Sequence, residues 1–241
     1  MLCLPVGTAY GQVFDFSPVQ PLNIPDSNES GTFSQGTIAS LVPGTVGQIT
    51  IDLNLKGVTP AGGFTGDLYI ALYHGGKASV LLNRPGRDGT NPFGYDDTGD
   101  LHVTLDDSAL HDIHVYQNVT GALPPAGLTG RWQPDGRTAN LNSVISADAR
   151  TATLNQFVGT PIQGDWVLFM ADVSGGGTTQ LTGWTLHIVA VPEPKAMAPG
   201  LAGLLALWAF SRRIRSGSQT RAVTARRCQT SANSEHPLPA E

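Results

Sequence analysis

The 241-residue sequence predicts an all-β domain, a sandwich or barrel of about eight short strands, and three observations carry that expectation. Apolar and polar residues alternate with period two in several short stretches. With 29 glycines and 17 prolines, the chain is punctuated by turn residues far more often than long helices tolerate. No stretch of the body sustains a 3.6-residue period over three turns.

The strands follow in order. Gln48–Leu55 alternates Ile49, Ile51, Leu53 and Leu55 with polar partners, so one face is buried and the other wet. Gly66–Tyr73 places Leu68, Ile70 and Leu72 on one face. Ala78–Leu82 follows after His74-Gly75-Gly76-Lys77, whose glycines accept the positive φ of a two-residue hairpin turn. Leu101–Leu105 alternates again. Asp165–Val173 is more uniformly apolar, as a central strand should be. A Gly-Gly-Gly-Thr-Thr turn then leads to Trp184–Val189, where Trp184, Leu186 and Ile188 share a face and Thr185 and His187 take the other.

Hydrophobic residues make up 40% of the chain and charged residues 14%, a balance that excludes a disordered protein and a multi-span membrane protein. The net charge of −5 is unevenly distributed. Between Ser17 and Ala190 there are 7 basic against 15 acidic residues, whereas from Ser211 onward 6 arginines face 2 glutamates. An acidic body excludes nucleic acid as a partner, since phosphates call for facing cations. Cys3 and Cys228 lie at opposite extremes and offer neither a disulfide framework nor metal-ligand spacing.

Residues 1–12 read as a truncated signal peptide, with Ala9 and Gly11 placed as the small residues of a cleavage site, or else as an ordinary N-terminal strand. The other end is more distinctive. Pro192-Glu193-Pro194 precedes an uncharged run from Ala196 to Phe210, and Arg212, Arg213 and Arg215 follow it. The run is 15 residues long, short of the about 20 that span a bilayer comfortably. Leu201, Leu204, Leu205, Leu207, Trp208 and Phe210 nevertheless leave a helix here without a polar face to show water. Each arginine costs about 2.5–3.5 kcal/mol at the bilayer centre, so the cluster stops translocation.

This order of Pro-Glu-Pro, apolar helix and arginine cluster over residues 191–215 resembles the PEP-CTERM sorting signal of Gram-negative bacteria. The resemblance implies export, transient inner-membrane anchoring through residues 196–210 and processing by an exosortase. The polar tail 216–241 departs from the family, whose members usually end soon after the basic cluster.

Residues 22–190 carry a second resemblance. Ile24-Pro25-Asp26-Ser27-Asn28 opens the segment, and Thr65-Gly66-Asp67-Leu68 begins a strand whose hairpin continues to Val80-Leu81-Leu82. Asn91–Asp97 (NPFGYDD) is an aromatic-plus-acidic loop, and Gly130–Gly136 (GRWQPDG) precedes the closing strands at Gly164–Leu168 and Leu181–Leu186. In this order and spacing the motifs resemble the P domain (P/Homo B domain) of subtilisin-like proprotein convertases. The resemblance implies a jelly-roll-like β-sandwich and an accessory role. Within it Asp67 is expected to cap turn amides and Trp184 to fill the core.

Convertases cut with an Asp-His-Ser triad on a separate domain. The residues before Leu22 are too few to hold it, and no G-x-S-x-G elbow occurs, so no catalytic residues are expected. His111 and His114 fall on opposite faces of a strand and read as surface histidines; His102 and His187 should also face water. Asp96, Asp97 and Asp100 share one glycine-containing loop and read either as solvated turn residues or as oxygen ligands for Ca²⁺. Adjacent Asp106 and Asp107 cannot flank one bond.

Two functions remain. One is an exported envelope or extracellular-matrix component whose sandwich binds a protein or a surface polysaccharide, with Tyr69, Tyr73, Phe93 and Trp132 as candidate contact aromatics. The other is an accessory domain acting in trans with a subtilisin-like serine endopeptidase.

Overall fold

A computed structural model describes residues 9–39, 44–58, 62–123 and 127–192. Ten strands form two sheets: β1 (Tyr10–Asp15), β2 (Leu22–Ile24), β3 (Asn28–Ile38), β4 (Gly44–Val58), β5 (Leu68–His74), β6 (Lys77–Asn83), β7 (Leu101–Leu105), β8 (Leu128–Trp132), β9 (Gly164–Asp172) and β10 (Thr178–Pro192). The first sheet runs β1-β10-β4-β7-β8, with β2 also paired to β10, and the second runs β3-β9-β5-β6. All pairs are antiparallel except β7 with β8. The all-β, two-sheet expectation holds, with ten strands instead of about eight among the described residues.

The period-two pattern of Gln48–Leu55 becomes the middle of β4, and Ile51, Leu53 and Leu55 are fully buried there. They face inward beside Trp184, Leu186 and Ile188 of β10, through the pairs Leu53 with Trp184, Ile51 with Leu186 and Ile49 with Ile188. Two register shifts keep these long strands apolar on one side. Thr182 is the extra residue of one bulge, so Leu181 and Trp184 both turn inward although they are three apart. Gly47 is the extra residue of the other, and it lets Val46 and Ile49 do the same.

The second sheet supplies Leu68, Ile70 and Leu72 from β5 and Trp166, Leu168 and Met170 from β9 to the same core. β9 is central, between β3 and β5, as its uniform apolarity suggested. The β5–β6 hairpin turns through Gly75 and Gly76 at φ 55° and 74°, the two left-handed positions that a primed turn needs.

β1, β3 and β8 had no legible pattern. In β3 the inward positions are small: Ser34 and Gly36 precede Ile38, and the Phe16 ring lies where a Cβ on Gly36 would stand. In β8 only Leu128 and Trp132 are buried. Tyr10, Gly11 and Gln12, at the end of the segment read as signal or strand, belong to β1.

Pro192 ends β10 opposite Gly44. Glu193, Pro194, the apolar run 196–210 and Arg212, Arg213 and Arg215 lie outside the described residues. Among the described residues no helix is long and apolar enough to cross a membrane.

Candidate functional site

Two segments nearly thirty residues apart clasp each other at the N-terminal end of β5. A 3-10 turn, Thr65–Asp67, leads into that strand. The loop around Phe93–Asp97 lies on it, with Gly66 N–H donating to the Tyr95 carbonyl at 2.9 Å and Thr65 N–H to the Asp97 carbonyl at 2.9 Å. The approach is close enough to demand glycine on both sides. A Cβ on Gly66 would stand 2.5 Å from the Tyr95 nitrogen. One on Gly94, at φ 79°, would stand 2.7 Å from the Gly66 Cα.

Between the clasp and the Ser174–Gly175 turn after β9 opens a cavity of about 320 Å³. Phe64, Phe93 and Tyr95 give it aromatic walls, and Asp67, Asp96 and Ser174 supply its polar groups. Phe93 is 70% exposed at the mouth, and Asp96 is exposed beside it. Tyr95 is fixed edge-on against Tyr116, with ring centres 4.8 Å apart.

Asp67 forms the floor. It does not cap turn amides; it meets Arg84, Nη2 to Oδ1 at 3.5 Å, with both side chains buried. Arg84 has φ 51° and spends its other donors on the carbonyls of Gly66, Leu141 and Phe93 and on the Ser174 hydroxyl. The guanidinium thus ties the clasp together from behind. Burial raises the Asp67 carboxyl above the ordinary aspartate range; Ser174 and Arg84 oppose the shift, and Asp26 adds to it. Next to it, Asp172 is raised to about 7 by burial and then by Asp67 and Asp26. Its Oδ1 is buried without a hydrogen-bond partner.

The three aspartates read either as solvated turn residues or as calcium ligands point to different places. Both oxygens of Asp97 are occupied: Oδ2 accepts from the Tyr116 hydroxyl at 2.6 Å and from Gln117 at 2.8 Å, and Oδ1 accepts from Leu123 N–H at 3.1 Å. Asp100 accepts from Gly57 N–H, and Asp96 lines the cavity. Together they do not fit one ion, and among the described residues no group of three metal-binding side chains gathers elsewhere.

Two further expectations are corrected. His114 is fully buried, not a surface residue: it lies at the 3-10 turn Ile113–Val115, and its Nδ1 is 2.7 Å from Asp135 Oδ2. Arg137 joins the same carboxylate to Asp112, so this charged knot is internal and structural. Trp132 is 4% exposed and donates its Nε1–H to the Thr129 carbonyl, which removes it from the contact aromatics. Tyr73 and Phe93 are exposed and Tyr69 is half-buried. His102 and His187 are partly exposed, the latter paired to Asp52 at 2.7 Å. Asp106 accepts from Ser108 and Arg131, while Asp107 caps the turn at Leu154–Phe157. Phe64, Arg84 and Ser174 carried no sequence signal, because they meet only through the clasp.

The fold and site define a two-sheet β-sandwich with one acidic, aromatic-walled opening formed by loops at a strand end. No family model matches the chain, and no curated protein matches it. In solved structures it is similar to the serine protease of Aeromonas sobria, at 18% identity and a TM-score of 0.43, over 78% of this chain. The crystal structure of that serine protease with its chaperone gives the same identity and score over 79% of this chain. In both cases the chain spans 28% of the length of the chain it resembles.

Proposed function

We propose that the protein is an exported, non-catalytic accessory module that docks a subtilisin-like serine protease in trans. The observation that carries this reading is the clasp. Thr65–Leu68 and Asn91–Asp97, two of the segments that resemble P-domain motifs, build one opening together, so the shared sequence features serve a surface and not only a core. The chemistry in that opening is recognition. The Ser174 hydroxyl is held by Arg84 and Asp67, a geometry that orients a loop and offers no imidazole to take its proton. Export and envelope sorting are supported by the resemblance of residues 191–215 to a PEP-CTERM signal, with an exosortase as processing partner. Fractionating producing cells with and without their exosortase tests this part: the mature chain should move from the inner membrane to the outer surface or medium only when the exosortase is present.

A second reading, an envelope or matrix component binding surface polysaccharide, is favoured by the outer face of the second sheet. There Phe33, Phe169, Tyr69 and Tyr73 form an aromatic band; Phe33 pairs with Phe169, and Tyr69 meets Phe169 edge-on at 6.2 Å. Sedimentation with purified exopolysaccharide, lost on Tyr73→Ala, would favour it over the protease reading.

A further inference from the structure

We propose that the cavity between the clasp and the Ser174–Gly175 turn receives one cationic side chain, lysine or arginine, presented by a partner protein. The inference rests on the accessory reading for the identity of the partner, but its chemistry stands on the cavity alone. The walls offer the ring surfaces of Phe64, Phe93 and Tyr95, and the floor and rim offer the carboxylates of Asp67 and Asp96. An organic cation is attracted by both, through ring quadrupoles and opposite charge together.

Other ligands fit less well. An anion would meet the carboxylates of Asp67 and Asp96. An apolar group seated over Asp67 would strip water from a carboxylate and give nothing back. A hard metal ion needs several oxygens, and rings supply none. Arg84 does not already serve as the ligand. Its side chain is 4% exposed, and its donors are committed to Gly66, Leu141, Phe93 and Ser174 around the clasp. Asp67 at the floor already faces Arg84, whereas among the described residues Asp96 at the rim has no ion-pair partner, so an incoming cation meets an uncompensated carboxylate there.

The test is a ¹⁵N–¹H NMR titration of the full chain with N-acetyl-arginine amide, N-acetyl-lysine amide and neutral N-acetyl-citrulline amide. The basic probes should shift the amides of Phe64, Gly94, Asp96 and Gly175, and citrulline should not. Asp96→Asn and Phe93→Ala, both at exposed positions, should each weaken arginine binding about fivefold or more with an unchanged thermal melt. Equal shifts with citrulline, or unaltered affinity in both variants, would overturn the proposal. So would displacement of the arginine probe by CaCl₂ acting on the same amides, which would assign the cavity to a metal. Protease capture by wild type and variants alike would leave the accessory reading standing and sink this one. Basic probes that bind while no protease does would sink the accessory reading alone.

Discussion

Arg84 stands 3.5 Å from Asp67, and this buried ion pair lies at the floor of the cavity, with Asp67 lining it. A pair of this kind contributes little net stability, but removing one member leaves the other charge buried and uncompensated. Arg84→Met should therefore destabilise the fold by about 3–5 kcal/mol, measured by urea unfolding. The double variant Arg84→Met/Asp67→Leu should recover part of that loss. A single variant as stable as wild type would show that the guanidinium does not hold the clasp.

Asp172 governs a pH dependence. Its carboxyl is raised from 3.8 to about 7 by burial and by Asp67 and Asp26, with Arg84 and the Ser174 amide opposing. The flanking strands present Asn28 and Leu68, which carry no charge. Since the folded value lies above the unfolded one, this group's contribution is complete below pH 3.8 and is lost as pH rises through about 7. Asp172→Asn stays neutral throughout. Its unfolding free energy should fall less across that window, and at about pH 8 it should exceed wild type by roughly 1–3 kcal/mol.

Tyr116 is the buried post of the clasp. Its hydroxyl donates to Asp97 and contacts Thr65 Oγ1 at 2.8 Å. Tyr116→Phe removes one buried hydrogen bond from each group, leaving Asp97 its bonds from Gln117 and Leu123, and should cost about 1–3 kcal/mol. Burial, reinforced by the Asp97 carboxylate, pushes this phenol far above the usual tyrosine range. Ultraviolet titration should accordingly show one more tyrosine ionising in Tyr116→Phe-sensitive fashion only once the protein unfolds.

Calcium addition should neither release heat nor raise the melting temperature. Asp97 has both oxygens on protein donors, and Asp96 and Asp100 face elsewhere. A saturable calcium-dependent rise in melting temperature, abolished by Asp97→Asn, would contradict this geometry.

The sheets were legible where burial writes a pattern. β4, β5, β7 and the core of β10 alternate because one face is dry, β6 was marked by the Gly75-Gly76 turn before it, and β9 is uniformly apolar because it lies in the middle. β3 was not legible, since its inward Ser34 and Gly36 leave room for Trp184 and Phe16 and carry no hydrophobic signal of their own. The bulges at Gly47 and Thr182 lengthened two strands beyond their regular stretches by shifting parity without breaking the ladder. For the site, the acidic-aromatic loop stood out in the sequence, but its carboxylates left solvated turns and a metal both open. Only the pairing of Gly66 with Tyr95 shows that the loop closes on the turn before β5 and aims Asp97 inward and Asp96 outward. His114 misled for a related reason: a histidine opposite a distant aspartate becomes a core residue, and Asp135 lies 21 residues away in the chain.

The proposed accessory role requires that this sandwich grip a protease without cutting anything itself. The most direct measurement mixes the purified full chain with the subtilisin-like protease recovered from the same cells by a serine-directed active-site probe, and follows complex formation by size-exclusion chromatography alongside peptide hydrolysis by each component. The expected result is a co-eluting complex, weakened by Asp96→Asn, with hydrolysis only from the protease. A chain that elutes alone at micromolar concentrations, or that cleaves peptides by itself, would contradict it.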